Sequence, residues 1–424
     1  MTTTGKDAAL ADWLQRMESL HPEEIELGLK RVGEVAARAG LDQPGRPLIT
    51  VAGTNGKGSV CSFLTSVYRA AGYSTGTYTS PHLLRFNERM QIDGEPASDA
   101  QIVAALEHIE AHRGDISLTY FEYATLAAMR LFQEADVDVI ILEVGLGGRL
   151  DAVNIWDADV AVVTSISIDH ASWLGRTREE IAPEKVAIAR SGRPLISGER
   201  NPPLSLEQSA RAIGAQLFVL DKDFRWQDED GERWTYIGSQ LRYSGLPAPG
   251  LAGRWQYDNA AVAVAVVARL QETLPVSFEA LGEGIAGAVL PGRLQRLNWR
   301  GRTLLLDVAH NPAAAKQIAG YLSAQGLSGL TAVFGVMQDK DIDGVVEPLL
   351  SLIGHWVVFE PPMPRAMAAG ALAGHLGGLT GAGVELSSSA SDALEKALAA
   401  GDAAQPVLVF GSFYTLAPVL EILG

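Results

Sequence analysis

Apolar and polar positions along the chain follow two alternating periods. From Ala9 to Gly40, Trp13, Met17, Leu20, Leu27, Leu29, Val32 and Val35 fall at helical spacing, which predicts a helix over this stretch. Pro47-Leu48-Ile49-Thr50-Val51-Ala52 is a short apolar run ended by glycine, the pattern of a buried strand. The helical period returns from Gly58 to Ala71, with Gly72 as its stop. Further strands are expected at 74–79, 137–144, 160–166 and 194–197. Helical stretches at 99–112, 121–133 and 178–190 lie among them. Strand alternating with helix predicts an α/β fold whose parallel sheet carries helices on both faces. From Phe218 to Tyr243 the texture becomes short, polar and Trp-containing, which predicts a small antiparallel excursion on the same domain. A second α/β series starts near Arg302, with strands at 303–308, 330–334, 356–359 and 407–410 and a helix from about Pro312. The Pro291-Gly292-Arg293 turn is the expected hinge, giving domains 1–295 and 296–424.

Composition supports two domains and narrows the function. The chain has 424 residues, well above the ~150 of a one-domain prior. With 47% hydrophobic and 20% charged residues it can build a large core, which excludes disorder. The longest apolar run, 260–268, is far short of the ~20 residues of a membrane helix. The start, Met1-Thr2-Thr3-Thr4-Gly5-Lys6-Asp7, lacks the basic and apolar halves of a secretory leader, so no membrane role is expected. Cys61 stands alone and allows no internal disulfide, in keeping with a reducing, cytoplasmic setting. The net charge of −16 disfavours nucleic acid as a partner, because phosphate neutralisation dominates such binding. No long coiled coil or broad apolar face argues for more than a monomer. Glycine stands out, at 44 residues against an average near ~7%.

Part of that surplus sits in Gly53-Thr54-Asn55-Gly56-Lys57-Gly58-Ser59, where a strand hands over to a helix. Successive amides in such a turn form an anion nest, and the helix N-terminus adds partial positive charge. Lys57 would reach the β- and γ-phosphates of a nucleotide, and Ser59 a metal. Val51 and Gly58 depart from the strict phosphate-loop pattern, and a plain glycine turn with a surface lysine is the alternative. Glu143 ends an apolar strand, on the ligand edge of a parallel sheet, where it suits Mg²⁺; a salt-bridged or capping acid is the plainer option. Ser80, after the 74–79 strand, lies on the same edge. Asp307 ends a strand of the second series and suits ribose hydroxyls, while Arg293 follows the hinge glycine and suits phosphates. By themselves, Lys185 reads as a solvated helix residue, His170 as a capping group and Asn259 as an N-cap. Tyr120, Phe121 and Tyr123 read as core aromatics, and Arg85 and Arg89 as loop charges.

The ordered set of motifs resembles the Mur ligase superfamily, and within it the folate branch of folylpolyglutamate synthases and bifunctional dihydrofolate synthase/folylpolyglutamate synthases. The set comprises the glycine loop, Thr79-Ser80-Pro81-His82-Leu83, Thr119-Tyr120-Phe121-Glu122 and Leu142-Glu143-Val144-Gly145-Leu146-Gly147-Gly148-Arg149-Leu150-Asp151. It continues with Asp169-His170, Pro291-Gly292-Arg293, Asp307-Val308-Ala309-His310-Asn311-Pro312 and Gly411-Ser412-Phe413-Tyr414-Thr415. The resemblance covers nearly the whole chain. It implies a P-loop ATPase domain on a parallel sheet and a smaller Rossmann-like C-terminal domain. It further implies ATP bound by Gly53 to Ser59, Asn259, Arg293 and Asp307, and His310 in the cleft. Mg²⁺, as two ions, is implied at Ser80, Glu143, His170 and a carbamylated Lys185, with Lys57, Lys185 and His310 as catalytic groups. The folate substrate is implied at Ile25, Glu26, Thr119, Tyr120, Phe121, Glu122, Leu150, Asp151 and Ala152. Two departures from the family pattern are Val186-Ala187 after Lys185, where Ala-Gly is usual, and Val153, where Thr is common.

The implied activity is an ATP-dependent ligase joining L-glutamate to dihydropteroate and to tetrahydrofolate or its polyglutamates through an acyl phosphate. The 115–122 segment looks like the bifunctional type. A single-activity folylpolyglutamate synthase and another Mur-type amino-acid ligase are the enzyme rivals, and an ATP-hydrolysing switch is the rival from another class.

Overall fold

The apolar runs become the strands of two large sheets, one in each of two compact units. The computed structural model describes residues 5–21, 26–239, 241–402 and 404–424. The first unit comprises Met1–Gly250 with Tyr257–Ala288, and the second Leu251–Gln256 with Val289–Gly424. This division falls several residues before the boundary expected near 296, a position that lies inside a strand of the second sheet.

The first sheet holds β1 (Leu48–Ala52), β2 (Thr75–Tyr78), β3 (Met90–Ile92), β4 (Glu95–Pro96), β5 (Val139–Glu143), β6 (Val160–Val163), β7 (Pro194–Ser197) and β8 (Gln216–Val219). Their order is β4-β3-β2-β5-β1-β6-β7-β8, parallel from β2 to β8, with β3 and β4 added antiparallel at one edge. Register aligns the carboxyl ends: Val51 of β1 lies opposite Glu143 of β5, and Ala52 opposite Val163 of β6. The central strands are buried on both faces, so their side chains form a nearly continuous apolar run. A separate antiparallel sheet of β9 (Phe224–Asp228), β10 (Arg233–Gly238) and β11 (Arg242–Pro247) is the expected excursion. Phe218 is not part of it, because it pairs along β7 as part of β8.

The helix after β1, Lys57–Ala70, is backed by Phe278–Gly287. There Gly284 permits very close approach: a Cβ on it would stand 2.3 Å from Val67 Cα. The single helix expected over 9–40 is two, Gly5–Ser19 and Lys30–Arg38, with Leu27 and Leu29 between them. Pro22 lies in that interval, and proline has no N–H with which to continue a helix. The helix from Arg178 stops at Val186, shorter than its apolar pattern.

The second unit has β12 (Gln295–Trp299), β13 (Arg302–Asp307), β14 (Leu330–Phe334), β15 (Ile353–Val358), β16 (Gly383–Leu386) and β17 (Val407–Phe410). The order is β12-β13-β17-β14-β15-β16, and only β12 runs antiparallel to its neighbour. Phe334 and Phe410 stack at 4.7 Å, with Trp356 against both, in a core that Ala252 and Trp255 also join. Among the described residues, no helix is long and apolar enough to cross a membrane.

Candidate active site

The glycine loop is braced by the segment that follows the neighbouring strand. Thr54 donates its amide to the Ser165 carbonyl at 2.8 Å, and its hydroxyl exchanges hydrogen bonds of 3.0 Å with the carbonyl and amide of Ser167. Asn55 and Ser165 bond reciprocally at 3.0 Å, and Thr164 Oγ1 donates to the Asn55 carbonyl at 2.6 Å. A Cβ on Gly53, whose φ is +149°, would fall 1.8 Å from Thr164 Oγ1, so only glycine fits there. Gly56 takes a left-handed conformation ahead of Lys57–Ala70 and, having no side chain, gives the first-turn amides no capping oxygen of its own. Asn259 stands against the same turn: a Cβ on Gly56 would meet its Oδ1 at 2.6 Å. It lies within the helix Trp255–Leu270, not at its cap as its sequence position suggested.

Lys57 curls over the loop, donating to the carbonyls of Gly53 at 3.1 Å and Thr54 at 3.4 Å. Its Nζ is 4.0 Å from Glu143 Oε1, and Glu143 is almost fully buried. The amide of Ser80 donates to Glu143 Oε2 at 3.3 Å, which brings two of the expected metal residues together. Both supply oxygen, the donor Mg²⁺ prefers, so these two fit a divalent ion. His170 is half-exposed, at φ +49°, and heads the short helix Ala171–Leu174 with its amide on Asp169 Oδ1 at 2.9 Å. Among the described residues, no three His, Cys, Asp or Glu side chains converge on one point. Ser59 is buried at the third position of its helix.

Lys185 is not a solvated residue: it is 3% exposed. Burial first, and then the Lys57 charge, pull its ammonium down to about 7, against the opposing pull of Asp169 and Asp151. A neutral amine is therefore accessible near physiological pH. Of the glycines after β5, Gly148 packs on this helix: a Cβ on it would meet the Glu184 carbonyl at 2.6 Å and Lys185 Cα at 3.2 Å. Asp151 is buried and fixes the turn, taking the amides of Leu146 at 2.8 Å and Val153 at 3.1 Å. Burial raises its carboxyl to about 6. Leu150 is half-buried and Ala152 buried beside it.

The expected folate residues Thr119, Tyr120, Phe121 and Glu122 all lie at the start of the helix Tyr120–Glu134. Thr119 caps it, and Glu122 Oε2 returns to the Thr119 amide at 2.8 Å in a capping box. Phe121 covers Gly145, where a Cβ would be 2.7 Å from its Cζ. Tyr123 is core, as its aromatic pattern suggested, whereas Tyr120 and Phe121 are only half-buried. Arg89 is no free loop charge: it donates to His82 Nδ1 at 2.8 Å and lies over the rings of Phe86 and Tyr120. Arg85 is exposed and pairs with Asp99 at 3.1 Å. Glu26 is half-exposed, and Ile25 lies outside the described residues.

In the second unit, Asp307 ends β13 and takes the amides of Leu294 at 2.9 Å and Ala309 at 2.8 Å. Burial pushes its carboxyl up, against the pull of Arg293. Arg293 lies 5.4 Å from the Phe413 ring centroid, and His310 Nδ1 donates to the Val308 carbonyl at 2.8 Å.

Two family patterns match the sequence: the Mur ligase middle domain over residues 51–196, and the Mur ligase glutamate ligase domain over 292–413. Dihydrofolate synthase/folylpolyglutamate synthase of Escherichia coli is 44% identical over 415 residues, 98% of this chain and 95% of that one. The chain belongs to the folate branch of the Mur ligase family. Among solved Mur ligase-family structures, E. coli FolC in complex with DHPP and ADP superposes with a TM-score of 0.92 at 42% identity, covering 99% of both chains. The bifunctional enzyme of Yersinia pestis complexed with AMPPNP and Mn ion gives 0.91 at 42% identity, covering both chains fully. Sequence reasoning missed the residues that brace the glycine loop. Thr164 and Ser165 brace the loop with their hydroxyls and Ser167 with its backbone, and small polar residues just past a buried strand were the available signal. Also unread in the sequence is the pairing of Arg31, on the helix Lys30–Arg38, with Glu26 and Glu122.

Proposed function

We propose that this chain is an ATP-dependent ligase that joins L-glutamate to dihydropteroate, giving dihydrofolate, and to reduced folates, giving polyglutamates. The observation that carries this reading is the pair of Lys57 and Glu143, 4.0 Å apart at the aligned ends of β1 and β5 beside a braced, uncapped glycine loop. The relatives' printed names and the glutamate ligase pattern at 292–413 supply the substrates.

A carboxylate oxygen of the folate substrate attacks the γ-phosphorus of ATP, the bond to the ADP oxygen breaks, and an acyl phosphate forms. The glutamate amine then attacks the acyl carbon, loses a proton, and phosphate leaves. Lys57 and the amides of Gly53 to Ser59 hold the phosphates and neutralise charge gathering on the transferring group. Asn259, Arg293 and Asp307 are assigned to ATP, with Arg293 on phosphate and Asp307 on ribose, and His310 is assigned to the catalytic set. Glu26, Thr119 to Glu122 and Leu150 to Ala152 are assigned to the folate substrate, together with Ile25.

Ser80, Glu143 and His170 are assigned to Mg²⁺, and a carbamylated Lys185 to a second ion; when bound, the metal supplies positive charge at the phosphates. The buried, readily neutral amine of Lys185 supports its carbamylation. A monomeric, cytoplasmic enzyme completes the proposal, consistent with its single, buried cysteine.

Assaying the purified protein with ATP, L-glutamate and dihydropteroate tests the reading. Dihydrofolate and glutamate-dependent phosphate release are expected. Extension of tetrahydrofolate without any dihydrofolate would leave the single-activity synthase, and hydrolysis indifferent to both substrates would sink the ligase.

A further inference from the structure

Arg31 joins two parts of the folate site that lie far apart in the chain. Its Nη1 donates to Glu26 Oε1, and its Nη2 donates to the Glu26 carbonyl at 2.9 Å and to Glu122 Oε1 at 3.1 Å. His21 Nε2 lies 3.0 Å from the other Glu26 oxygen. Glu122 is thus gripped on both oxygens: Oε2 by the Thr119 amide at 2.8 Å, Oε1 by the guanidinium. It is only 3% exposed, at a helix N-terminus that also favours its charge.

We propose that Arg31 is a positioning residue for the pterin: it fixes the Glu122 carboxylate to receive the amino-pyrimidinone edge, and ties Glu26 to the same site. The proposal rests on the folate reading above. An ionised carboxylate has about four acceptor positions. Here Thr119 and Arg31 take one on each oxygen, which leaves one on each for the two adjacent N–H donors of an amino-pyrimidinone. A guanidinium fork can hold two carboxylates at once in a fixed plane, and an ammonium cannot. Arg31 sits on the first turn of a regular helix, so the fork is carried on a rigid element. Without it, the buried Glu122 carboxylate loses its guanidinium partner and is left to the Thr119 cap.

The test is steady-state kinetics of the full-length wild type, Arg31→Met, Arg31→Lys, Glu122→Gln and the double variant Arg31→Met/Glu122→Gln. Arg31→Met is expected to raise KM for dihydropteroate about 10- to 100-fold, the scale of a misplaced binding group, with KM for ATP unchanged. Arg31→Lys should fall between it and wild type. The losses in the double variant should fall well short of additive, because both changes remove the shared Arg31–Glu122 interaction and only the Arg31–Glu26 pair is separate. A loss in kcat with KM for the pterin unchanged, or additive losses in the double variant, overturns the proposal. Should Arg31→Met fail to fold, Arg31→Lys decides: a raised pterin KM supports the role, and an unchanged one overturns it. A wild-type protein that turns over no pterin substrate at all overturns the folate reading itself.

Discussion

At the scale of single residues, Lys185 is the most telling. A lysine on a helical stretch is ordinarily solvated, and nothing in the local pattern marks this one as buried; only tertiary packing against the Gly148 turn makes it so. CO₂ adds to a neutral amine, so carbamylation should weaken as pH falls through about 7, where the ammonium takes over. Lys185→Ala is expected to lose activity about 10- to 100-fold, the range typical of lost metal-site support, and short-chain acids should restore part of it. Full activity in that variant would end the carbamate assignment. Stability follows from the same depression. Between about pH 7 and the ordinary 10.5, the unfolded chain binds more protons at this site than the folded protein, so stability of the unmodified protein rises with pH across that window. Below it, both states are protonated and the full burial penalty applies. Urea midpoints of wild type and Lys185→Met across this range should diverge, with the flatter profile in the variant.

At the scale of elements, legibility depended on burial. Strands such as β1, β14 and β17 are buried along their whole length, and their unbroken apolar runs announced them. The β3–β4 hairpin was not legible, because Gln91, Glu95 and Pro96 carry no apolar run and their pairing is decided by the edge of β2. The glycine loop could be read, since its function demands particular residues in particular order. Its brace could not, because the hydroxyls of Thr164 and Ser165 and the backbone of Ser167 gain their role only when register puts β6 beside β1. Close packing of the two helices behind the loop was equally hidden. Gly284→Ala places a methyl 2.3 Å from Val67 Cα, so the helices must part. A loss of about 1–3 kcal/mol is expected from such overpacking, read as a lower melting temperature together with a raised KM for ATP. An unchanged melting temperature would mean that the pair is not tightly seated.

For the whole molecule, the net charge of −16 opposes substrates that are themselves anions. The screening length shortens from about 30 Å at 0.01 M salt to about 8 Å at 0.15 M. Over that range kcat/KM for the nucleotide is expected to rise; a steep fall would show that local cations such as Lys57 govern capture from a distance. The division into units also has a consequence for anyone who would take the protein apart. The chain passes from the first unit to the second after Gly250, returns after Gln256, and leaves again after Ala288. A fragment starting at Val289 therefore lacks Ala252 and Trp255, which pack on its core, and a fragment ending at Ala288 carries those two residues without the core they belong to. One cleavage cannot release either unit whole, so a nick near residue 288 leaves both pieces incomplete.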